Sequence, residues 1–377
     1  VNGLQEIQDL TLDHQLSLPG GLDALGIGVV GAGFIVRDCH LVAYQQAGFR
    51  VVGITSRTVS KAEEVAILRG IPKVHRSLAE MLLDDQVQVL DIGVPPQDQP
   101  QIIREICRMG RHVRGILAQK PLAMSLAEGR DLVRLCATQG ITLAVNQNMR
   151  HDQSVRACAD LLRRGWLGQP VLATIDMRAI PHWMPWSRGL GSLSTFIMSI
   201  HHLDCFRYWL GNPERVMAST RPDPRTKFPH TDGINLYILE FPGGVRASAW
   251  DDVWTGPVRE GSQGEVGIRW RVEGTRGLAN GTIGWPSYPA HTPSTLDYTT
   301  ALRGDYWFQP RWKEAWFPEA FQGTMGELLI SLQRGTLPAI SGTDNLHTLA
   351  LVEAVFRSAR EHRMVELSEF APEDARH

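Results

Sequence analysis

The sequence predicts an α/β protein of two domains: a doubly wound parallel sheet, followed by an α+β domain with a largely antiparallel sheet. Three observations predict it. From residue 25 to 147 short apolar runs alternate with amphipathic stretches, the pattern of a parallel sheet covered by helices. All eleven tryptophans lie between Trp166 and Trp316, so composition shifts near residue 148. A chain of 377 residues is also longer than one core usually holds.

Residues 1–24 show no helical periodicity and end in Pro19-Gly20-Gly21, so they are expected to form an arm lying on the body or on a partner. The stretch from Gly26 to His40 reads as a buried strand that breaks at Gly31 and Gly33 and re-enters as a helix near Phe34. That is how a dinucleotide site begins. Gly31 permits the tight turn, Gly33 lets the backbone approach a pyrophosphate, and the free helix amides face the phosphates. Val36 stands where a third glycine would complete the fingerprint, so helix and strand are expected slightly further apart there. Further strands are expected at 51–54, 87–92, 112–117 and 141–145. Two of the intervening helices open with capping boxes, Ser77-x-x-Glu80 and Ser125-x-x-Glu128.

The second half opens with a helix around 153–164 and offers strands at 234–239, 245–250 and 268–272, with a hairpin turn at Phe241-Pro242-Gly243-Gly244. Residues 282–321 are rich in Pro, Trp, Tyr and Thr without a period and read as a long functional loop region. Helices at about 322–334 and 344–362 close the chain. The expected division is an arm (1–24), a dinucleotide-binding domain (25–147), a substrate and oligomerisation domain (148–340), and a closing helix and tail (341–377).

A formal charge of −2 and the lack of a Lys/Arg run exclude a polyanion-binding surface, so no nucleic-acid partner is expected. Cys39, Cys107, Cys136, Cys158 and Cys205 are odd in number and widely spaced, which suits reduced thiols and an intracellular, cytoplasmic protein. No apolar run is long enough for a membrane span, and the first twenty residues lack the order of a signal peptide.

At Gln119-Lys120-Pro121 a second motif joins the first, and the chain resembles the glucose-fructose oxidoreductase / inositol dehydrogenase (Gfo/Idh/MocA) family of NAD(P)-dependent enzymes. The resemblance rests on Gly31-Ala32-Gly33-Phe34-Ile35, Gly110-Arg111-His112-Val113, Lys120-Pro121-Leu122-Ala123, Asn148-Met149-Arg150, Gly165-Trp166-Leu167-Gly168-Gln169-Pro170 and His201-His202-Leu203-Asp204 ahead of Gly211. It implies an N-terminal Rossmann domain, a C-terminal domain on a large open mixed sheet, and homodimers or homotetramers that often pack through that sheet. Three departures stand out. The family's Glu-Lys-Pro is Gln119-Lys120-Pro121, the stretch from His112 to Lys120 is longer than in typical members, and the aspartate four residues before the histidine is Ile197.

The resemblance makes Lys120 the expected proton-transfer group, with His201 sharing the proton or orienting the substrate. Position agrees for Lys120: it follows a strand, at the sheet edge where open α/β folds bind ligands, and a desolvated lysine can lose its proton near neutral pH. The plainer readings are a solvated surface lysine and a hydrogen-bonded core histidine. Expected cofactor contacts, to NADP or NAD, are Gly31, Gly33, Phe34, Ile35, Ser56, Arg57, Pro95, Gln119 and Lys120. Thr55-Ser56-Arg57-Thr58 at the tip after the second strand lacks the acid that an NAD site uses, and Ser56 with Arg57 suits a 2′-phosphate. Asn148 and Arg150 follow the last strand, where they could hold polar substrate groups or support a hinge. His182 and Trp183, with Trp186, could offer flat faces to a sugar ring or simply pack, and His202 joins the substrate set. His182, His201, His202 and Asp204 lack a metal-ligand spacing, and adjacent histidines face different sides of a helix, so no metal is expected. The rival function is a dinucleotide-sensing regulator of the same fold that performs no chemistry, which the lost carboxylates at 119 and 197 favour.

Overall fold

The structure, a computed structural model, describes residues 11–179, 185–254, 266–285, 290–304 and 306–371. By mutual contact the chain forms two units that interleave along the sequence. One holds Leu16–His151 with Phe317–Leu349; the other holds the described residues before Leu16, Asp152–Trp316, and those from Ala350 on.

The first unit is built on a parallel sheet of six strands: β1 (Ile27–Val30), β2 (Val51–Thr55), β3 (Val74–His75), β4 (Val89–Ile92), β5 (Gly115–Ala118) and β6 (Thr142–Val145). Their order is β3-β2-β1-β4-β5-β6. β1, β4 and β5 are buried at every residue, which is why they read as unbroken apolar runs: helices cover both faces. Strand order reverses between β1 and β4, and at such a switch point the carboxyl ends of the strands leave a crevice for a ligand. Ser77 and Ser125 each cap a helix as expected, accepting from the amides of Glu80 (3.1 Å) and Glu128 (3.2 Å). Glu80 bonds back to the amide of Arg76 instead of Ser77, so its capping box is shifted by one residue.

The helix Ala320–Arg334 belongs to this unit, although the linear division ran the second domain to 340. Its leucines fill space over β5, where a Cβ added to Gly115 would lie 2.8 Å from Leu332 Cδ1. The chain then runs beside β6: the Val145 amide donates to the Ile340 carbonyl (2.8 Å) and Ala144 pairs with Ser341. A sheet edge that would otherwise stand open is thereby covered.

The second unit carries an eight-stranded sheet. Its strands are β7 (Pro170–Arg178), β8 (Arg215–Arg221), β9 (Ile234–Glu240), β10 (Arg246–Asp252), β11 (Gly267–Gly274), β12 (Gly277–Thr282), β13 (Thr295–Thr300) and β14 (Val365–Glu366). They lie in the order β13-β12-β11-β7-β10-β9-β8-β14, antiparallel except for the pair β7 and β10. Burial alternates along β8, β9 and β10, so one face is packed and the other open. The helices Gln153–Arg163 and Ile200–Leu210 pack against each other, and Trp209 joins them by donating to the Val155 carbonyl (3.0 Å). The β9–β10 hairpin turns at Gly243 (φ 75°) and Gly244 (φ 86°), which places glycine where left-handed backbone is required.

Six strands fall where none was expected: β3, β7, β8, β12, β13 and β14. β13 lies inside the segment read as loop: its polar Thr and Asp residues hide the pattern, yet Leu296, Tyr298 and Thr300 alternate inward. β7, central in the sheet, opens at Pro170 just after Gly168, two residues that read as a turn. The start of the described arm contacts its own unit. Arg156 pairs with Asp13 (2.8 Å), Arg164 donates to the Thr11 carbonyl (2.9 Å), and His14 stacks on Trp312. All five cysteines are buried and unbridged, and no described helix is long and apolar enough to cross a membrane.

Candidate active site

The first unit carries its candidate residues along the carboxyl ends of β1, β4, β5 and β6. Gly31 follows β1 with φ 119°, its amide donating to the Thr55 carbonyl (2.8 Å), and a Cβ there would run into the Gly93 carbonyl. Only glycine satisfies both demands. Gly33 differs: a Cβ there would meet nothing within 4 Å, so this turn is an open cradle. The helix behind it starts as a π-helical turn, Ile35–His40, and continues as Leu41–Ala47. Val36 was expected to hold helix and strand apart. It is fully buried and packs against Gly93 just after β4, whose Cβ would collide with Val36 Cγ2. The small residue has moved to the strand side of the contact.

After β2, Ser56 is half-buried and Arg57 reaches into solvent, 80 % exposed, with Nη1 3.1 Å from Asp98 Oδ2. Pro95 is half-buried in the loop after β4. This open turn, the helix amides behind it and a cationic side chain beside the β2 tip fit a dinucleotide.

Lys120 sits just past β5, and its bond to Pro121 is cis. Loss of solvation brings the Lys120 ammonium down to about 7, although the side chain as a whole is only half-buried. The loop carrying it is clamped by Gln99, a fully buried side chain that no motif announced. Its oxygen accepts from the Gln119 amide (2.6 Å), and its NH₂ faces the carbonyls of Gln119 (2.8 Å), Leu122 (3.0 Å) and Pro121 (3.1 Å). Gln119 also contacts His40, which is itself paired with Asp91.

Asn148 and Arg150 are both buried. Asn148 donates to the backbone and side chain of Asn146 (3.3 and 3.4 Å). Arg150 pairs with Asp344 (2.8 Å) and donates to the Ala339 carbonyl (3.3 Å). The neighbouring His151 lies 3.1 Å from Glu327. The guanidinium thus ties β6's exit to the returning chain of the same unit.

The second unit holds the histidines. His201 is 3 % exposed on the helix Ile200–Leu210, edge-on to Trp316 with ring centroids 5.4 Å apart. Its helix is entered through a π-helical turn, Thr195–Ser199. Asp232 fixes that turn by accepting from Ser192 Oγ (2.7 Å), the Leu193 amide (2.6 Å) and both donors of Thr195. His202 is fully buried with Nδ1 3.0 Å from Asp251 Oδ1, and Asp251 also accepts from Ser199. Ile197, where the family carries aspartate, is buried. Asp232 and Asp251 therefore supply buried carboxylates to this segment, but Asp251 faces His202 and not His201. Neither was legible in the sequence, because isolated aspartates far along the chain reveal no pairing. His182 and Trp183 lie outside the described residues. Among the described residues no group of three or more His, Cys, Asp or Glu is arranged to hold a metal.

Fold and loop chemistry define a Rossmann-type oxidoreductase with a separate sheet unit. The particular family follows from comparison: the model for "Oxidoreductase family, NAD-binding Rossmann fold" matches residues 25–147, and that for "GFO/IDH/MocA C-terminal domain" matches 155–280. Together they span more than half the chain, which belongs to the Gfo/Idh/MocA family. A D-apiose dehydrogenase from Paraburkholderia graminis is 27 % identical over 92 % of this chain and 90 % of its own length. Two solved structures share the fold. One is an oxidoreductase from Agrobacterium radiobacter in complex with NAD+, L-tartaric acid and magnesium (TM-score 0.77, 22 % identity, 92 % of this chain and 99 % of that one). The other is the aldose-aldose oxidoreductase from Caulobacter crescentus complexed with glycerol (TM-score 0.77, 21 % identity, 91 % and 99 %).

Proposed function

We propose that this oxidoreductase transfers a hydride between NAD(P) and a secondary alcohol, lactol or carbonyl of a sugar, cyclitol or sugar acid, with Lys120 moving the hydroxyl proton. The observation carrying the reading is Lys120 itself: a lysine at the carboxyl end of β5, clamped in place by Gln99, with its ammonium drawn down to about 7. Such a group exchanges a proton near neutral pH, the property general acid–base work requires. A bound nicotinamide supplies the redox chemistry. His201 orients the substrate or shares its proton. The D-apiose dehydrogenase supports a polyhydroxylated substrate class.

Ser56 and Arg57 support NADP binding at least as well as NAD, since an exposed guanidinium meets a 2′-phosphate where an acid would repel it. The open face of the second sheet, with Met217, Leu236, Ile238 and Trp250 turned outward at 37–49 % exposure, supports a homodimer or homotetramer.

Ile197 favours a second reading, a dinucleotide sensor without turnover, because an apolar residue there cannot hold a proton. The experiment is to incubate the purified protein with NAD and NADP and screen sugars, polyols and aldonic acids at the nicotinamide absorbance. Turnover of any one compound supports the enzyme; dinucleotide binding with no turnover across the panel replaces it with the sensor.

A further inference from the structure

Beneath the Lys120 loop lies a buried polar chain that the proton-transfer role does not use. His40, the last residue of the π-helical turn, and Asp91 on β4 are both fully buried, with Nδ1 and Oδ2 2.7 Å apart. On the other side of the ring, Nε2 lies 3.0 Å from Asn146 Nδ2 and 3.4 Å from Gln119 Nε2. Gln119 Oε1 in turn accepts from the Lys120 amide at 3.1 Å.

The polarity of this chain is forced link by link. A backbone amide only donates, so the Gln119 oxygen must face Lys120 and its NH₂ must face His40. His40 Nε2 must then accept, which leaves the ring proton on Nδ1. That proton faces a carboxylate, which only accepts. The NH₂ groups of Asn146 (3.0 Å) and Gln119 (3.4 Å) share the one lone pair of Nε2.

We propose that His40, oriented by Asp91, is a positioning residue for Lys120: its acceptor nitrogen holds the Gln119 carboxamide, and that carboxamide holds the backbone of the proton-transfer lysine. The assignment rests on Lys120 being that group. It also explains why an amide suits position 119 in this chain. An ionised carboxylate there would present an acceptor to an acceptor, so the link to His40 would survive only with an added proton.

Gln119→Glu exchanges one nitrogen for oxygen and leaves the packing in place. It is expected to lower kcat by about tenfold or more, while the substrate KM stays within about threefold. His40→Leu should do the same. His40→Gln, whose amide end falls near the place of Nε2, should recover kcat to within about threefold of wild type, a rescue that generic loss of packing would not give. Retention of kcat by Gln119→Glu and His40→Leu, alongside collapse in Lys120→Ala, would overturn the positioning role and leave the proton-transfer reading intact. Retention of turnover by Lys120→Ala would remove that reading, and the positioning role with it. Should His40→Leu not fold, Gln119→Glu alone decides the matter.

Discussion

Lys120 is a cation that the fold makes costly to charge. Because burial lowers its pKa to about 7, the protonated form is disfavoured in the folded state at every pH below the unfolded value. Lys120→Met is therefore expected to melt at the same temperature as wild type or higher at pH 7, while losing turnover; a drop of several degrees would show that the ammonium is a stabilising partner. The same shift sets the pH dependence. Alcohol oxidation needs the neutral amine, so kcat/KM should rise through about pH 7 and then level, whereas carbonyl reduction needs the ammonium and should fall over the same interval. A flat profile from pH 6 to 9, on the ~1-unit scale over which one group titrates, would assign the inflection elsewhere. Gly31, Gly33, Lys120 and His201 could be singled out from the sequence because their motifs are local. Gln99, His40, Asp91, Asp232 and Asp251 were not, since each gains its role from a partner at least 20 residues away.

The turn from β1 into its helix separates two kinds of glycine. At Gly33 a methyl group meets no protein atom, so Gly33→Ala should leave thermal stability within about a degree yet weaken dinucleotide binding by about tenfold, as expected of a site kept open for a ligand. Unchanged affinity in a titration would show that the pyrophosphate lies elsewhere. At Gly93 a methyl group collides with Val36, so Gly93→Ala should cost about 1–3 kcal/mol in denaturant unfolding. Val36→Ala, damaging alone, should restore much of that loss in the double variant; simple additivity would mean the two do not share the space. The same contact shows where sequence reading reached its limit. The broken fingerprint was visible at Val36, but the glycine it packs against follows another strand, distant in sequence. β13 escaped for a related reason: threonine and aspartate on its open face mask an inward alternation that only pairing with β12 reveals.

At the scale of the whole chain, alternation and the tryptophan shift announced two domains, and the observed sheets match in kind. The interleaving did not show, because helix Ala320–Arg334 is amphipathic against whichever surface receives it. The outward Met217, Leu236, Ile238 and Trp250 predict an assembly larger than the 42.0 kDa chain in light scattering at micromolar concentration; a particle of that mass would refute it. The central claim, that this family member works as an oxidoreductase through Lys120, is tested most directly by kcat/KM of wild type and Lys120→Ala on the best compound of the sugar and polyol panel. A loss of about 10²–10⁴-fold is the predicted result. A loss smaller than about tenfold would contradict it.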